Sequence, residues 1–224
     1  MLKLMILPHT RAGMSAASLH AYLSEVHGPL CMAQQDVGGR FRRYIHHYAI
    51  RDARDPLLGK PLLDADAITI IGFDDLAGFR SSTSSRGYEE VVRPDEANFS
   101  DRDGSLFFMV EETVLADGPA PAAAAKLFHL RKVRADADLV RVSALWRDRV
   151  AAALAMRGGA LPRYVHNVVL PVEGQMPAYE MIDEISIGAG DLSAISRLLS
   201  EAEDGLFDNM ATAAMVTRPK IFIP

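Results

Sequence analysis

Apolar residues in the first half of the chain follow two periods, one typical of strands and one of helices. Short apolar or β-branched runs predict strands at residues 2–7, 40–50, 67–73 and 106–115. Apolar residues at helical spacing, after a possible N-cap at Ser15, predict a helix over about 15–26. A second helix is expected to begin at Asp74. The predicted order is therefore β-α-β-β-α-β.

The same order returns in the second half, after an Ala/Pro-rich stretch at 118–125 that has the composition of a linker. Strands are predicted at 126–133, 161–172, 181–187 and 212–223, with helices capped by Asp136 and Asp191. The sequence around Arg43-Tyr-Ile-His matches Arg163-Tyr-Val-His. We therefore predict a duplication, with a first repeat over 1–117, a linker over 118–125 and a second, diverged repeat over 126–224.

This alternation predicts an α+β fold made of two fused ferredoxin-like units. Such a unit has helices on one face of an antiparallel sheet, and the other face needs a cover. Two units packing sheet to sheet would form an α+β barrel, and the space between the sheets would be a natural pocket.

Composition excludes several classes of protein. The net charge of −5 and the lack of a basic, aromatic-interleaved patch argue against nucleic-acid binding. Cys31 is the only cysteine, so no intramolecular disulfide can form, and a buried structural thiol is expected. No apolar run approaches the roughly 18 residues that span a bilayer, and residues 1–8 lack the features of a signal peptide. A cytoplasmic protein without a membrane partner is expected.

His27 lies in the motif Val26-His-Gly-Pro, which predicts the end of the first helix because Pro29 disfavours its continuation. A histidine in a last helical turn can act as a functional imidazole, or it can simply interact with the helix end. The sequence leaves both roles open.

Two strands carry a repeated tyrosine-x-histidine pair. Side chains alternate across a strand, so Tyr44, His46 and Tyr48 share one face, and Tyr164 and His166 repeat the pair in the second half. On the bare face of a sheet they would line a pocket with aromatic rings and a group that titrates near neutral pH. On the other face they would pack under helices, and the sequence does not decide which face they occupy.

Carboxylates offer further candidates. Asp66 precedes a strand and could orient a histidine, act as a base or lie in a solvated turn. The pairs Glu111–Glu112 and Asp183–Glu184 each place one member inward. No set of His, Cys or Asp residues has the spacing of metal ligands, so no metal is expected.

The first half resembles the EthD-like family of the dimeric α+β barrel superfamily. The resemblance covers nearly all of this half and rests on residues 26–30, 42–45, 66–76 and 95–101. It implies a pocket for hydrophobic organic molecules that works without a cofactor. Because members of this family usually pair two chains, it also implies a monomer that acts as a pseudo-dimer, or a homodimer.

The chain departs from the family at two places. The family often has a glutamate in its third strand. The sequence alignment places Ile70 at that position in the first half and Ser186 at that position in the second half. Val150 stands in the second half where His27 stands in the first. The resemblance therefore implies at most one complete site.

We expect an enzyme of lyase or isomerase type that acts on an apolar or aromatic ketone, lactone or polyketide-like molecule. His27 or His46 would be the acid or base, and tyrosines would stabilise an enolate-like oxygen. The alternatives are a non-catalytic small-molecule-binding or stress-related barrel and a cofactor-free monooxygenase. The candidate catalytic residues are His27, His46 and Tyr44, and the candidate substrate-binding residues are Tyr48, Tyr164, His166 and Asp66.

Overall fold

The computed structural model describes residues 1–50, 63–119, 121, 124–157, 162–171, 176–188, 192–203, 205–208 and 211–224. Two compact units make up the chain. The first unit comprises Met1–Ala49, Asp64–Val110 and Pro219–Pro224, and the second unit comprises Ile50–Leu63 and Glu111–Arg218.

The first unit contains a four-stranded antiparallel sheet in the order β4-β1-β3-β2. Its elements, in chain order, are β1 (Leu2–Thr10), α1 (Ala16–Tyr22), a π-helical turn (Leu23–His27), α2 (Gly28–Ala33), β2 (Arg43–Ala49), β3 (Ala67–Phe73), α3 (Leu76–Thr83), a second π-helical turn (Tyr88–Val92), α4 (Arg93–Glu96) and the first part of β4 (Ser100–Asp117).

The second unit repeats this arrangement with the sheet order β8-β5-β7-β6. Its elements are β5 (Ala125–Arg131), α5 (Leu139–Arg157), β6 (Arg163–Val169), β7 (Met181–Ile187), α6 (Leu192–Glu203) and β8 (Ala213–Ile223). The order 4-1-3-2 within each unit is that of a ferredoxin-like sheet. The predicted α+β class with two ferredoxin-like units is confirmed.

The helix predicted to end at His27 does not end there. The Gly28 N–H bonds to the Leu23 carbonyl, five residues back, and α2 follows directly with Pro29 in its first turn. A proline tolerates this position because its missing N–H is not needed in a first turn. The second π-helical turn uses the same device, since the Arg93 N–H bonds to the Tyr88 carbonyl just before Pro94.

Other predicted boundaries also move. Strand β1 passes Pro8 through an irregularity in its pairing with β4 and continues to Thr10, because a bulge tolerates a residue that cannot donate to the ladder. Ser15 is the N-cap of α1, as predicted, and accepts a bond from the Ser18 N–H.

Two predicted caps are replaced by the acid one or two residues later. Asp75, not Asp74, caps α3, and Asp138, not Asp136, accepts the Arg141 N–H in the first turn of α5. The remaining predicted cap, Asp191, lies outside the described residues, as do positions 120, 122 and 123 of the predicted linker.

Each sheet carries the helices of its own unit on one face. In the first unit, Tyr44 and Phe73 pack with Cys31 and Val37 from the helical side. In the second unit, Tyr164 and Ile185 pack in a core that also contains Trp146, Val150 and Leu199 from α5 and α6. None of the described helices combines the length and the hydropathy that crossing a membrane requires.

Candidate functional site

A carboxylate and an imidazole meet where the two π-helical turns of the first unit lead into α2 and α4. His27 ends the first turn, and its Nδ1 lies 2.9 Å from Oδ2 of Asp95 in α4. The Tyr22 hydroxyl donates to the other carboxylate oxygen at 2.5 Å, and Asn98 Nδ2 donates to the same oxygen at 3.1 Å. π-Helical turns recur at functional sites because they change which side chains a helix presents together.

The charge on Asp95 determines which nitrogen of His27 carries the proton. Burial raises the pKa of Asp95, but hydrogen bonds from Tyr22, His27 and Asn98 outweigh this and lower it. An ionised carboxylate only accepts hydrogen bonds, so Nδ1 of His27 must donate to it. The Nε2 atom of neutral His27 then keeps its lone pair, which is the form a general base requires.

Among the described residues, the thiol of Cys31 lies next to that lone pair. Cys31 Sγ lies 3.5 Å from His27 Nε2, one helical turn further along. Burial raises the pKa of Cys31 to about 12, although a hydrogen bond with Tyr44 opposes the shift. Cys31 therefore stays a thiol at neutral pH and offers Nε2 only a weak donor.

Tyr44, His46 and Tyr48 follow from this point along β2. The rings of Tyr44 and His46 are 4.8 Å apart at 88°, and the Tyr48 hydroxyl lies 3.3 Å from His46 Nδ1. Burial, followed by the nearby His27 and His47, lowers the pKa of His46 to about 3. His46 is therefore a neutral imidazole at physiological pH.

These contacts decide the face that the sequence left open. Tyr44 and His46 lie on the helix-covered face of their sheet, in contact with residues of the first helical run. They do not line the opposite face, from which a pocket between sheets was expected. Tyr44 was considered as part of a pocket wall on the bare face of the sheet. It lies instead beneath the helices, in a cluster with His27 and Cys31.

Asp66 lies at the Tyr48 end of this cluster. Its Oδ2 accepts a 2.6 Å hydrogen bond from the Thr10 hydroxyl, and its carbonyl lies 2.8 Å from His20 Nε2. His20 in turn stacks on Tyr48 with 4.6 Å between the ring centroids. Asp66 is therefore held between β1 and α1, where its backbone rather than its carboxylate orients a histidine.

Four residues of this cluster were not among the candidate site residues predicted from the sequence. Cys31 is four residues after His27, a spacing that makes two residues neighbours on a helix. The sequence did not predict this contact because the helix was expected to end at Gly28-Pro29. Asp95 is separated from His27 by 68 positions, so no local pattern joins them. Tyr22 and His20 could be predicted as helical residues only.

Residues 11–103 match the EthD domain family. This part of the chain is similar to EthD domains. It contains His27, Cys31, Tyr44 and Asp95, so the whole cluster around the His27–Asp95 pair belongs to it. No curated protein matches the chain.

Solved structures with the same fold cover almost the whole chain. An anthrone oxidase-like protein is 9% identical with a TM-score of 0.64, covering 98% of this chain and 92% of that one. A proposed monooxygenase of Lactobacillus acidophilus NCFM is 10% identical with a TM-score of 0.56, covering 98% and 94%. A chlorite dismutase variant of Candidatus Nitrospira defluvii is 11% identical with a TM-score of 0.52, covering 96% and 91%. At such identities the likeness concerns the fold alone.

The second unit holds a different polar network around Tyr164 and His166, which correspond to Tyr44 and His46 of the first unit. Asp183 is fully buried and accepts bonds from Arg131 at 2.6 Å, Trp146 at 3.0 Å and the Tyr164 hydroxyl, while its other oxygen lies 2.7 Å from His166 Nδ1. Burial raises the pKa of Asp183, but Arg131 and His166 lower it well below its usual range. Both predicted residues, Tyr164 and His166, are therefore bound to a buried carboxylate.

Arg131 occupies the centre of this network. Its guanidinium lies 3.8 Å from the centroid of the Trp146 ring, and Nη2 contacts His129 Nδ1 at 2.9 Å. His166 Nε2 also has a partner, Ser143 Oγ, at 3.1 Å. A buried ion pair with this many hydrogen bonds holds its side chains in place, which favours a structural role.

Strand pairing corrects the alignment of the two copies. Tyr44 is opposite Ile71 and Tyr164 is opposite Ile185, so Ile70 corresponds to Glu184 and not to Ser186. The second copy therefore does carry a glutamate at the position where the family often has one. Glu184 is buried, with Lys126 Nζ at 3.0 Å.

Proposed function

We propose that the EthD domain catalyses proton transfer, without a cofactor, at a carbon next to the carbonyl group of a small apolar or aromatic molecule. His27 is the base, Asp95 holds it in the required tautomer, and Tyr44 stabilises the enolate oxygen. This reaction is the first half of both isomerase and lyase chemistry, the two classes expected from the sequence.

The observation that carries this proposal is the 2.9 Å contact between His27 Nδ1 and Asp95 Oδ2. A carboxylate that accepts the N–H of one ring nitrogen fixes the tautomer of the neutral ring, so the other nitrogen carries the lone pair. It also stabilises the imidazolium that forms when that nitrogen accepts a proton. The side chains of His27 and Asp95 are 11% and 12% exposed, so the pair is sheltered but reaches solvent.

The proposed step is balanced within the site. Nε2 of His27 takes a proton from the carbon, the C–H electron pair moves into the new C=C bond, and the carbonyl oxygen becomes an enolate. Return of the proton to another carbon completes an isomerisation, whereas loss of a leaving group from the next carbon completes an elimination.

The second unit supports a single site in each chain. The buried acid of its polar network, Asp183, is occupied by an arginine, a tryptophan, a tyrosine and a histidine from the same unit. Tyr164, His166 and Asp183 of this network are at most 1% exposed, in contrast to the 11% exposure of the His27 side chain.

The test is deuterium exchange at the α-carbons of 2-tetralone, an aromatic ketone with acidic C–H groups, followed by NMR in D₂O. We expect the protein to accelerate exchange, and His27→Gln and Asp95→Asn to reduce the acceleration by about 100-fold or more. Glu89→Gln, which removes one exposed ion pair, is the control and should leave it unchanged.

Two results would overturn the proposal in favour of the alternatives. Binding of the ketone without any exchange would indicate a non-catalytic binding protein. Turnover that consumes oxygen in proportion to product would indicate a cofactor-free monooxygenase.

A further inference from the structure

A serine, a histidine and an aspartate are joined by hydrogen bonds in the second unit. Oγ of Ser143, in α5, lies 3.1 Å from Nε2 of His166, in β6. Nδ1 of the same ring lies 2.7 Å from Oδ1 of Asp183, in β7. These contacts have the order of the catalytic triad of serine hydrolases, which is recognised by its geometry and not by the positions of its residues in the sequence.

The charge on Asp183 determines where the protons of this triad lie. Burial raises the pKa of Asp183, but Arg131 and His166 lower it well below its usual range, so the carboxylate is ionised and accepts the N–H of His166 Nδ1. Nε2 of the neutral ring then carries the lone pair, and the Ser143 hydroxyl donates its hydrogen to it. In this arrangement a histidine can remove the proton of a serine that attacks an acyl carbon.

Further hydrogen bonds to Asp183 hold the triad in place. Its Oδ2 accepts bonds from Arg131 Nη2 at 2.6 Å, from Trp146 Nε1 at 3.0 Å and from the Tyr164 hydroxyl. These three donors use one carboxylate oxygen, and His166 uses the other. Catalytic groups need neighbours that fix their geometry, so a network that stabilises the fold can also position a nucleophile.

Ser143 is the member of the triad that comes nearest to solvent. It is 6% exposed, whereas His166 and Asp183 are 1% and 0% exposed. Proton transfer of the kind proposed for His27 needs an imidazole that meets the substrate directly, and His166 is too deeply buried for that role. A triad differs because its serine oxygen makes the first contact with the substrate.

The neighbours of Ser143 on α5 favour a short apolar acyl group. Leu139, one turn before, and Trp146, one turn after, both pack in the core of the second unit. Ser143 is also the fifth residue of α5, and helical side chains lean towards the N-terminus of their helix. The positive end of the helix dipole therefore stabilises the negative oxygen that forms when a carbonyl is attacked there.

We propose that Ser143, His166 and Asp183 form a second active site, which hydrolyses esters of short apolar acids. Oγ of Ser143 bonds to the acyl carbon, its proton passes to His166 Nε2, and the carbonyl electron pair moves onto the carbonyl oxygen. When the carbonyl forms again, the bond to the alcohol breaks, and the alcohol takes the proton from His166. Water then attacks the acyl-serine with the same histidine as base, which releases the acid and restores Ser143. This activity does not rest on the proposed function of His27.

The first test is labelling of the wild type with methanesulfonyl fluoride, followed by peptide mass spectrometry. An activated serine oxygen displaces fluoride from the sulfur atom, so we expect Ser143 to carry the methanesulfonyl group. Ser196 is the internal control and should stay unlabelled, because it is a buried serine of α6 whose hydroxyl has no hydrogen-bond partner among the described residues. The bulkier phenylmethanesulfonyl fluoride should label Ser143 about tenfold more slowly or less.

The second test is hydrolysis of p-nitrophenyl acetate, followed by the absorbance of p-nitrophenolate. We expect Ser143→Ala to lower the rate by about 100-fold or more and Ser196→Ala to leave it unchanged. Labelling of the wild type does not depend on the folding of either variant. The proposal would be overturned by a wild type in which Ser143 stays unlabelled or in which both serines are labelled equally. A rate that Ser143→Ala does not lower would also overturn it, and faster labelling by the bulkier reagent would refute the assignment to short acyl groups.

Discussion

Acid conditions should destabilise the protein through His46. Burial, then the neighbouring His27 and His47, hold the pKa of His46 at about 3, against 6.5 for an ordinary histidine. As the pH falls through about 6.5, the unfolded chain takes up a proton on this ring and the folded chain does not. Because the unfolded state binds more protons between pH 6.5 and pH 3, the free energy of unfolding decreases as the pH is lowered through that window.

The magnitude follows from the width of the window. At about pH 5 the unfolded imidazole is about 1.5 pH units below its pKa, which corresponds to a loss of about 2 kcal/mol at about 1.4 kcal/mol per unit. The full loss, near pH 3, is about 5 kcal/mol. The ring is fully buried, so solvent does not reduce this value substantially.

The assay is urea unfolding at about pH 7.5 and about pH 5, followed by the fluorescence of Trp146, which is the only tryptophan. His46→Phe keeps a ring of similar size and should lose about 2 kcal/mol less than the wild type between these pH values. Phe222→Leu, which changes the same cluster without removing a titrating group, should keep the loss of the wild type. If His46→Phe and the wild type lose the same free energy, the burial of a neutral His46 is refuted.

Three further predictions concern other parts of the chain. Asp183→Asn should lower the free energy of unfolding by about 3–5 kcal/mol, because it removes the carboxylate 2.6 Å from the buried guanidinium of Arg131 and leaves only the more distant Glu203, at 3.5 Å; urea unfolding measures this, and a loss below about 1 kcal/mol would contradict it. Cys31, with its pKa raised to about 12, should react with iodoacetamide at about pH 8 roughly a thousandfold more slowly than an exposed thiol. Rapid labelling of the folded protein, followed by mass spectrometry, would argue against this. Gly28→Ala should destabilise the protein by about 1–3 kcal/mol, because its Cβ would clash with the Phe222 ring and with the Leu23 carbonyl oxygen. Phe222→Leu in the same chain should restore part of the loss of melting temperature, since it relieves only the first clash; an additive double variant would show that the two side chains do not clash.

The fold could be predicted from the sequence because its signals are local. Strand and helix periods, together with turn residues, identified the strands β1 to β8 of the described residues and their order along the chain. Boundaries were less certain where a local rule had an exception. Pro29 was expected to interrupt a helix, but it follows a π-helical turn and lies in the first turn of α2, where no N–H is needed.

The candidate site could be predicted only in part. The pairs Tyr44–His46 and Tyr164–His166 could be predicted because each pair lies within a single strand and the same pattern occurs in both halves of the chain. The face of the sheet on which they lie could not be predicted, since alternation shows which residues share a side of the strand and not which side the helices cover. Asp183 illustrates the difference, because the alternation that placed either Asp183 or Glu184 inward did not predict the arginine that Asp183 contacts.

The sequence by itself determined the α+β class, the repeated strand order, the likeness to EthD proteins and the presence of a histidine at position 27. The tertiary structure alone decided the chemistry available to that histidine. The carboxylate of Asp95 and the ring of Phe222 come from distant parts of the chain, and a hydrogen bond or a stacking contact depends on distance in space and not on spacing in sequence. The motif Val26-His-Gly-Pro was expected to mark the end of a helix. In the folded protein, its histidine contacts the carboxylate of Asp95, and its glycine lies against the ring of Phe222.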